Sequence, residues 1–203
     1  MVNQINKVHD GIKEYILELK ENSISKKRLK TLDKIINEIN KYTVDKNYPK
    51  IIFICTHNSR RSQLAEIWAH TFNFVFEKNI KVFSAGTVKD KFNSRVINVL
   101  KEIGFKVKKK SNKFIFNFSK NHNSIPMNSK LIDELYLKDN FITIMTCSNA
   151  DKNCPVIPNA LSRILLSYKD PKKFDLTSQE TKKYIETSYK IALELYYLFK
   201  NLK

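Results

Sequence analysis

Residues 50–62 read Lys50-Ile51-Ile52-Phe53-Ile54-Cys55-Thr56-His57-Asn58-Ser59-Arg60-Arg61-Ser62. Pro49 ends whatever precedes it, and a short, wholly apolar, β-branched run follows. That is what a strand buried on both faces of a parallel sheet requires. The polar stretch 55–61 then leaves the strand and opens a helix with Leu64, Ile67, Trp68, Thr71 and Phe72 on one face. Ligands of open parallel sheets bind at this edge. Backbone N–H groups of such a loop converge on an anion, and the helix N-terminus adds partial positive charge. A cysteine at the start of the loop feels the same field, which favours its nucleophilic thiolate. An arginine six positions on can return a planar fork to two oxyanion oxygens. Cys55 and Arg61 are therefore the candidate nucleophile and anion clamp, with Thr56, His57, Asn58, Ser59, Arg60, Arg61 and Ser62 as the oxyanion-binding loop. The bland alternative is a small buried cysteine followed by a solvated arginine pair. The position between strand and helix argues against it.

Outward from this stretch, strands and helices alternate. Strands are expected at 80–84 and 141–145, with a further one at 164–166 and an extra one at 114–118. Helices are expected at 93–103, ending on a Gly104 C-cap, at about 129–137, and over about 178–201. Such alternation means an α/β fold with a parallel sheet and right-handed crossovers. Tyr136, Tyr168, Tyr184 and Tyr189 read as core or rim. Residues 4–42 carry two helical stripes: Ile5, Val8, Ile12, Ile16 and Leu19, then Leu29, Leu32, Ile36 and Ile39, with Ser25 as a cap. They read as a helical hairpin over residues 1–45, packed on a main body of 46–203. A dimerisation seam is the alternative, although so few turns argue poorly for a coiled coil.

Composition narrows the function. The 203 residues suffice for one substantial core. No apolar run exceeds five residues and no secretory stretch opens the chain, so a membrane span is not expected. With only Gly11, Gly86 and Gly104, neither a dinucleotide nor a Walker A loop can be written. Three cysteines, Cys55, Cys147 and Cys154, fit free thiols in a reducing cytoplasm better than a disulfide framework. The net charge of +17 is densest in residues 101–130, with eight lysines against Glu102 alone. Lys106, Lys108, Lys109, Lys110 and Lys113 read either as a patch for an anionic partner or as a lysine-rich solvated loop. The second reading is favoured, and a nucleic-acid partner is not expected.

The loop and its continuation, Gln63-Leu64-Ala65-Glu66, resemble the phosphate loop of the low-molecular-weight tyrosine phosphatase family, and within it the thioredoxin-coupled arsenate reductases. Ser84-Ala85-Gly86-Thr87 resembles the family's segment after the second strand. Residues 145–155, Met-Thr-Cys-Ser-Asn-Ala-Asp-Lys-Asn-Cys-Pro, resemble the reductases' redox segment. Asp170, before Pro171, stands where the family has its general acid. The likeness spans about residues 50–200 and leaves out the N-terminal hairpin and much of 106–138. It implies the flavodoxin-like fold of that family, a four-stranded parallel sheet flanked by helices. It also implies a relay in which Cys55 attacks arsenate, Arg61 holds it, Asp170 donates a proton, and Cys147 and Cys154 pass a disulfide to thioredoxin. No tightly bound cofactor is implied. Asn58, Glu66 and Ser84 match a potassium site of some arsenate reductases, without its aspartate. His57 replaces a usual glycine, and Arg60 a common cysteine.

Three functions compete: arsenate reduction, phosphomonoester hydrolysis with water resolving a phosphocysteine, and a non-catalytic basic module holding an anion. A zinc site is weaker still, because Cys147 and Cys154 lack the usual tight ligand pair.

Overall fold

Strand β1 (Lys50–Cys55) has every residue from Ile51 onward buried, which places it inside the sheet rather than at an edge. The structure is a computed structural model that describes residues 2–45, 47–88, 90–122, 124–135, 140–154 and 156–203. β1 pairs in parallel with β2 (Val82–Gly86) on one side and β6 (Phe141–Met145) on the other. β7 (Ala160–Leu165) closes the order β2-β1-β6-β7, all parallel. This is the expected four-stranded sheet. Period-two alternation sorts its side chains. Ile51 and Phe53 of β1 join the large core, together with Ile142 and Ile144 of β6. Ile52 and Ile54 enter a smaller apolar cluster on the opposite face, which Cys55 joins from the end of the strand, where the alternation stops.

The large core is covered by α4 (Arg61–Val75), α5 (Ser94–Ile103) and α7 (Glu180–Lys200). Asn93 caps α5 by accepting from the Arg95 N–H at 2.9 Å, and Gly104 ends it at φ 110°, a left-handed conformation that suits glycine. The smaller cluster is covered by the short α6 (Ser148–Asn153).

The N-terminal stripes divide differently from the expectation. The first is broken into α1 (Val2–Ile5) and α2 (Asp10–Leu17). Between them Val8 bridges to Ser119, and the His9 N–H donates to the Phe118 carbonyl at 2.9 Å, so tertiary pairing overrides the helical pattern. α3 (Lys26–Lys41) is capped by Ser25 as expected. α2 and α3 do not form a free-standing pair: α2 lies against α5, and α3 against α7 and β7. At the α2–α5 contact Gly11 meets the end of α5, where a Cβ would stand 2.8 Å from the Ile103 carbonyl oxygen. Ile12, Ile16, Leu32, Ile35, Ile36 and Ile39 enter the large core.

The lysine-rich segment is a strand, not a solvated loop. β3 (Lys106–Lys110), β4 (Lys113–Asn117) and β5 (Ile125–Met127) make a small antiparallel sheet. β3 is its edge, and lysines exposed along an edge strand deter pairing with other chains. The helix expected near 129–137 is a 3₁₀ turn over Ile132–Leu135. Residues 136 and 137 of that expectation, including Tyr136, lie outside the described residues. No described helix is long and apolar enough to cross a membrane.

Candidate active site

Cys55 ends β1, and the loop after it wraps the sheet edge before α4 begins at Arg61. Gly86, at the end of β2, lets the loop come close. A Cβ there would meet Asn58 N, His57 C and Thr56 O at 2.8–2.9 Å. The Thr56 carbonyl accepts from the Thr87 and Val88 N–H groups. The loop's left-handed residue is Asn58, at φ 44°. Asparagine tolerates that region, and His57 lies outside it, so a β-carbon at position 57 brings no left-handed strain. The His57 side chain is half exposed, 3.7 Å from Asp90.

A buried polar chain fixes the sulfur's surroundings. The Lys130 main-chain N–H can only donate, and it points at Asn58 Oδ1 at 2.9 Å. This sets the amide orientation. Asn58 Nδ2 therefore donates to Ser62 Oγ at 2.9 Å and to Ser84 Oγ at 2.8 Å. Ser62 Oγ, already accepting, has its own proton left for Cys55 Sγ, 3.0 Å away. The Ser84 hydroxyl donates a hydrogen bond to the Glu66 carboxylate. Lys130 Nζ stands 3.5 Å from the same carboxylate oxygen. Burial pushes the Glu66 carboxyl up, while Lys130 and Ser84 oppose that shift. Residues 128–130 strap the loop further. The Asn128 carbonyl accepts from Gln63 Nε2 at 2.9 Å, and Ser129 Oγ donates to the His57 carbonyl at 3.1 Å.

The two arginines diverge. Arg61 NH2 donates to Asp170 Oδ2 at 2.7 Å, and NH1 to the Tyr168 carbonyl at 3.0 Å. Asp170 also caps the following 3₁₀ turn by accepting from the Lys172 N–H. The Arg60 side chain leaves the loop. Its Nε donates to the Tyr184 hydroxyl at 2.8 Å, and NH2 lies 3.5 Å from Asp175. Burial first, then the Asp175 hydrogen bond, raises the Tyr184 phenol to about 12. Ser59 turns its hydroxyl onto the Lys91 carbonyl.

All three cysteines are free, buried and part of the smaller apolar cluster. Cys147 caps α6, its sulfur accepting from the Ala150 N–H at 3.3 Å, and Thr56 Oγ1 of the loop lies 3.5 Å from that sulfur. Cys154 follows α6, and burial pushes its thiol up. Among the described residues, no three His, Cys, Asp or Glu side chains come together to hold a metal ion.

The sequence pattern missed Lys130, Gln63, the residue 128–130 strap and the Tyr168 carbonyl. Only Gln63 carried a signal, through its place in the motif. A main-chain carbonyl and a lysine in an aperiodic stretch carry none.

The strand–loop–helix turn that runs from Cys55 to Arg61 at the C-terminal end of a parallel strand is the feature that marks the class of protein. A family model described as low molecular weight phosphotyrosine protein phosphatase matches residues 50–175, and the chain belongs to that family. Arsenate reductase 2 of Staphylococcus epidermidis is 32% identical over 121 residues, 60% of this chain and 77% of that protein. Arsenate reductase from Archaeoglobus fulgidus superposes with a TM-score of 0.51 at 22% identity, covering 74% of this chain and 98% of that one. A low molecular weight protein tyrosine phosphatase from T. tengcongensis gives 0.50 at 16%, covering 76% and 99%.

Proposed function

We propose that the chain is an arsenate reductase working through a three-thiol relay, with thioredoxin or a similar dithiol as reductant. Cys55 attacks arsenic and displaces an oxygen, which leaves as water with a proton from Asp170. Arg61 and the loop amides hold the remaining oxygens. The Cys147 thiolate then attacks Cys55 Sγ. The sulfur–arsenic bond breaks with its electron pair on arsenic, so As(V) becomes As(III) and arsenite departs. Cys154 attacks Cys147 Sγ, which frees the Cys55 thiolate and leaves a Cys147–Cys154 disulfide for the dithiol to reduce.

The observation that carries this reading is the gathering of all three buried cysteines in one apolar cluster, with Thr56 touching the Cys147 sulfur. A phosphatase needs Cys55 alone. Between Cys147 and Cys154 stands α6. Seven residues of helix separate Cα atoms by about 10 Å, whereas a disulfide needs under about 7 Å. The relay therefore requires α6 to unwind, and a short helix is well suited to that.

The test is Cys147→Ser. It is expected to keep p-nitrophenyl phosphate hydrolysis and to abolish multiple-turnover arsenate reduction with thioredoxin. Robust hydrolysis with no arsenate reduction by the unaltered protein would assign it to phosphomonoester hydrolysis instead. Cys55→Ser without effect on either reaction would leave only an anion-binding module.

A further inference from the structure

The potassium ion implied at Asn58, Glu66 and Ser84 does not fit the groups present. A monovalent cation needs converging oxygen lone pairs. Asn58 instead turns its amide N–H groups toward Ser62 and Ser84, and its Oδ1 is taken by the Lys130 N–H and by Gln63. Ser84 spends its proton on Glu66. What remains is one carboxylate, and Lys130 Nζ already faces it at 3.5 Å. Both partners are sheltered, at 15% and 5% side-chain exposure. A carboxylate so buried is costly unless paired.

We propose that Lys130 is a tethered cation: its ammonium takes the place of a soluble monovalent ion beside Glu66 and positions the loop that presents Cys55. Main chain and side chain act together. The Lys130 N–H orients Asn58, and the Lys130 carbonyl accepts from the Gly86 N–H at 2.9 Å. The ammonium neutralises Glu66, which holds Ser84 and through it the Asn58 amide. That amide leaves the Ser62 proton directed at the Cys55 sulfur. Lys130 touches no reacting atom, so it is a positioning residue. Because the cation is covalently attached, catalysis by this chain is indifferent to potassium. The proposal rests on Cys55 as the nucleophile.

The experiment compares the unaltered protein with Lys130→Ala and Lys130→Met in potassium chloride and in tetramethylammonium chloride at equal ionic strength. It reads p-nitrophenyl phosphate kinetics and, independently, Tm. The unaltered protein is expected to show the same kcat, KM and Tm in both salts. In tetramethylammonium each variant is expected to lose about tenfold in kcat with little change in KM. Potassium is expected to restore little of that loss, since one carboxylate alone does not make a site for it, and to leave the variants' Tm where tetramethylammonium leaves it. Potassium activation or stabilisation of the unaltered protein would overturn the proposal. So would variants with native kcat, or variants whose kcat and Tm potassium restores, since the side chains would then complete a potassium site after all. Lys130→Met keeps the aliphatic stem should the alanine variant fold poorly. If Cys55 is not the nucleophile, Cys55→Ser remains active, while the Tm comparison still reports on the cation.

Discussion

Arg61 donates to Asp170 across 2.7 Å, so the side chain proposed to grip the oxyanion also aims the carboxyl proposed to protonate its leaving group. The guanidinium carries five N–H donors and spends only part of them on Asp170 and the Tyr168 carbonyl, which leaves donors for substrate.

Asp170→Asn is expected to lower kcat by about a hundredfold on phosphate esters with poor leaving groups, and by much less on p-nitrophenyl phosphate. A leaving group that departs without a proton does not need the acid. The measurement is kcat across a series of aryl phosphates. A uniform loss across the series would mean that Asp170 serves only to hold Arg61.

His70 predicts how stability depends on pH. It lies on α4, and burial first, then the neighbouring His122 and Lys130, lowers its imidazole from 6.5 to about 4. The folded state thus keeps the ring neutral where the unfolded chain protonates it. Stability is full above about 6.5, declines as pH falls through the window from 6.5 to about 4, and is then lost no further through this group. The whole contribution is on the order of 3 kcal/mol. His70→Gln is expected to flatten that acid limb in urea titrations at several pH values. An unchanged limb would assign acid sensitivity to other groups.

The centre of the fold and the loop after β1 were legible because their signals are local. Four apolar, mostly β-branched residues between Pro49 and Cys55 suit a buried strand, and Gly104 suits a helix end. The small antiparallel sheet was largely hidden because β3 reads Lys-Val-Lys-Lys-Lys, an edge whose exposure erases apolar alternation. The break between α1 and α2 was hidden because Val8 satisfies a helical stripe while pairing with Ser119, more than a hundred residues away in the chain. Lys130 was hidden for a related reason. A buried ammonium is defined by the carboxylate it meets, and Glu66 lies on a helix that ends 55 residues earlier in the chain (130 − 75).

Through Arg28 the N-terminal helices reach the segment that receives Arg61. On α3, its guanidinium forms a forked pair with Glu194 of α7, donates to the Ser167 carbonyl at 3.2 Å, and lies 5.1 Å from the Tyr168 ring centroid. Tyr168 is the residue whose carbonyl receives Arg61. Arg28→Met leaves Glu194, 2% exposed, without its partner, and is expected to destabilise the fold by about 3–5 kcal/mol in urea titrations. Arg28→Met with Glu194→Leu removes both charges and is expected to recover much of that stability, because no charge is left buried alone. Stability and catalysis should then separate. The double variant still lacks the group that pins residues 167 and 168, so Arg61 and Asp170 are held less firmly. It is expected to fall a few-fold in kcat/KM on p-nitrophenyl phosphate while nearly matching the unaltered protein in Tm. A double variant with native kcat/KM would show that α3 adds stability alone, and that the β7–Asp170 segment holds its position without help from the N-terminal helices.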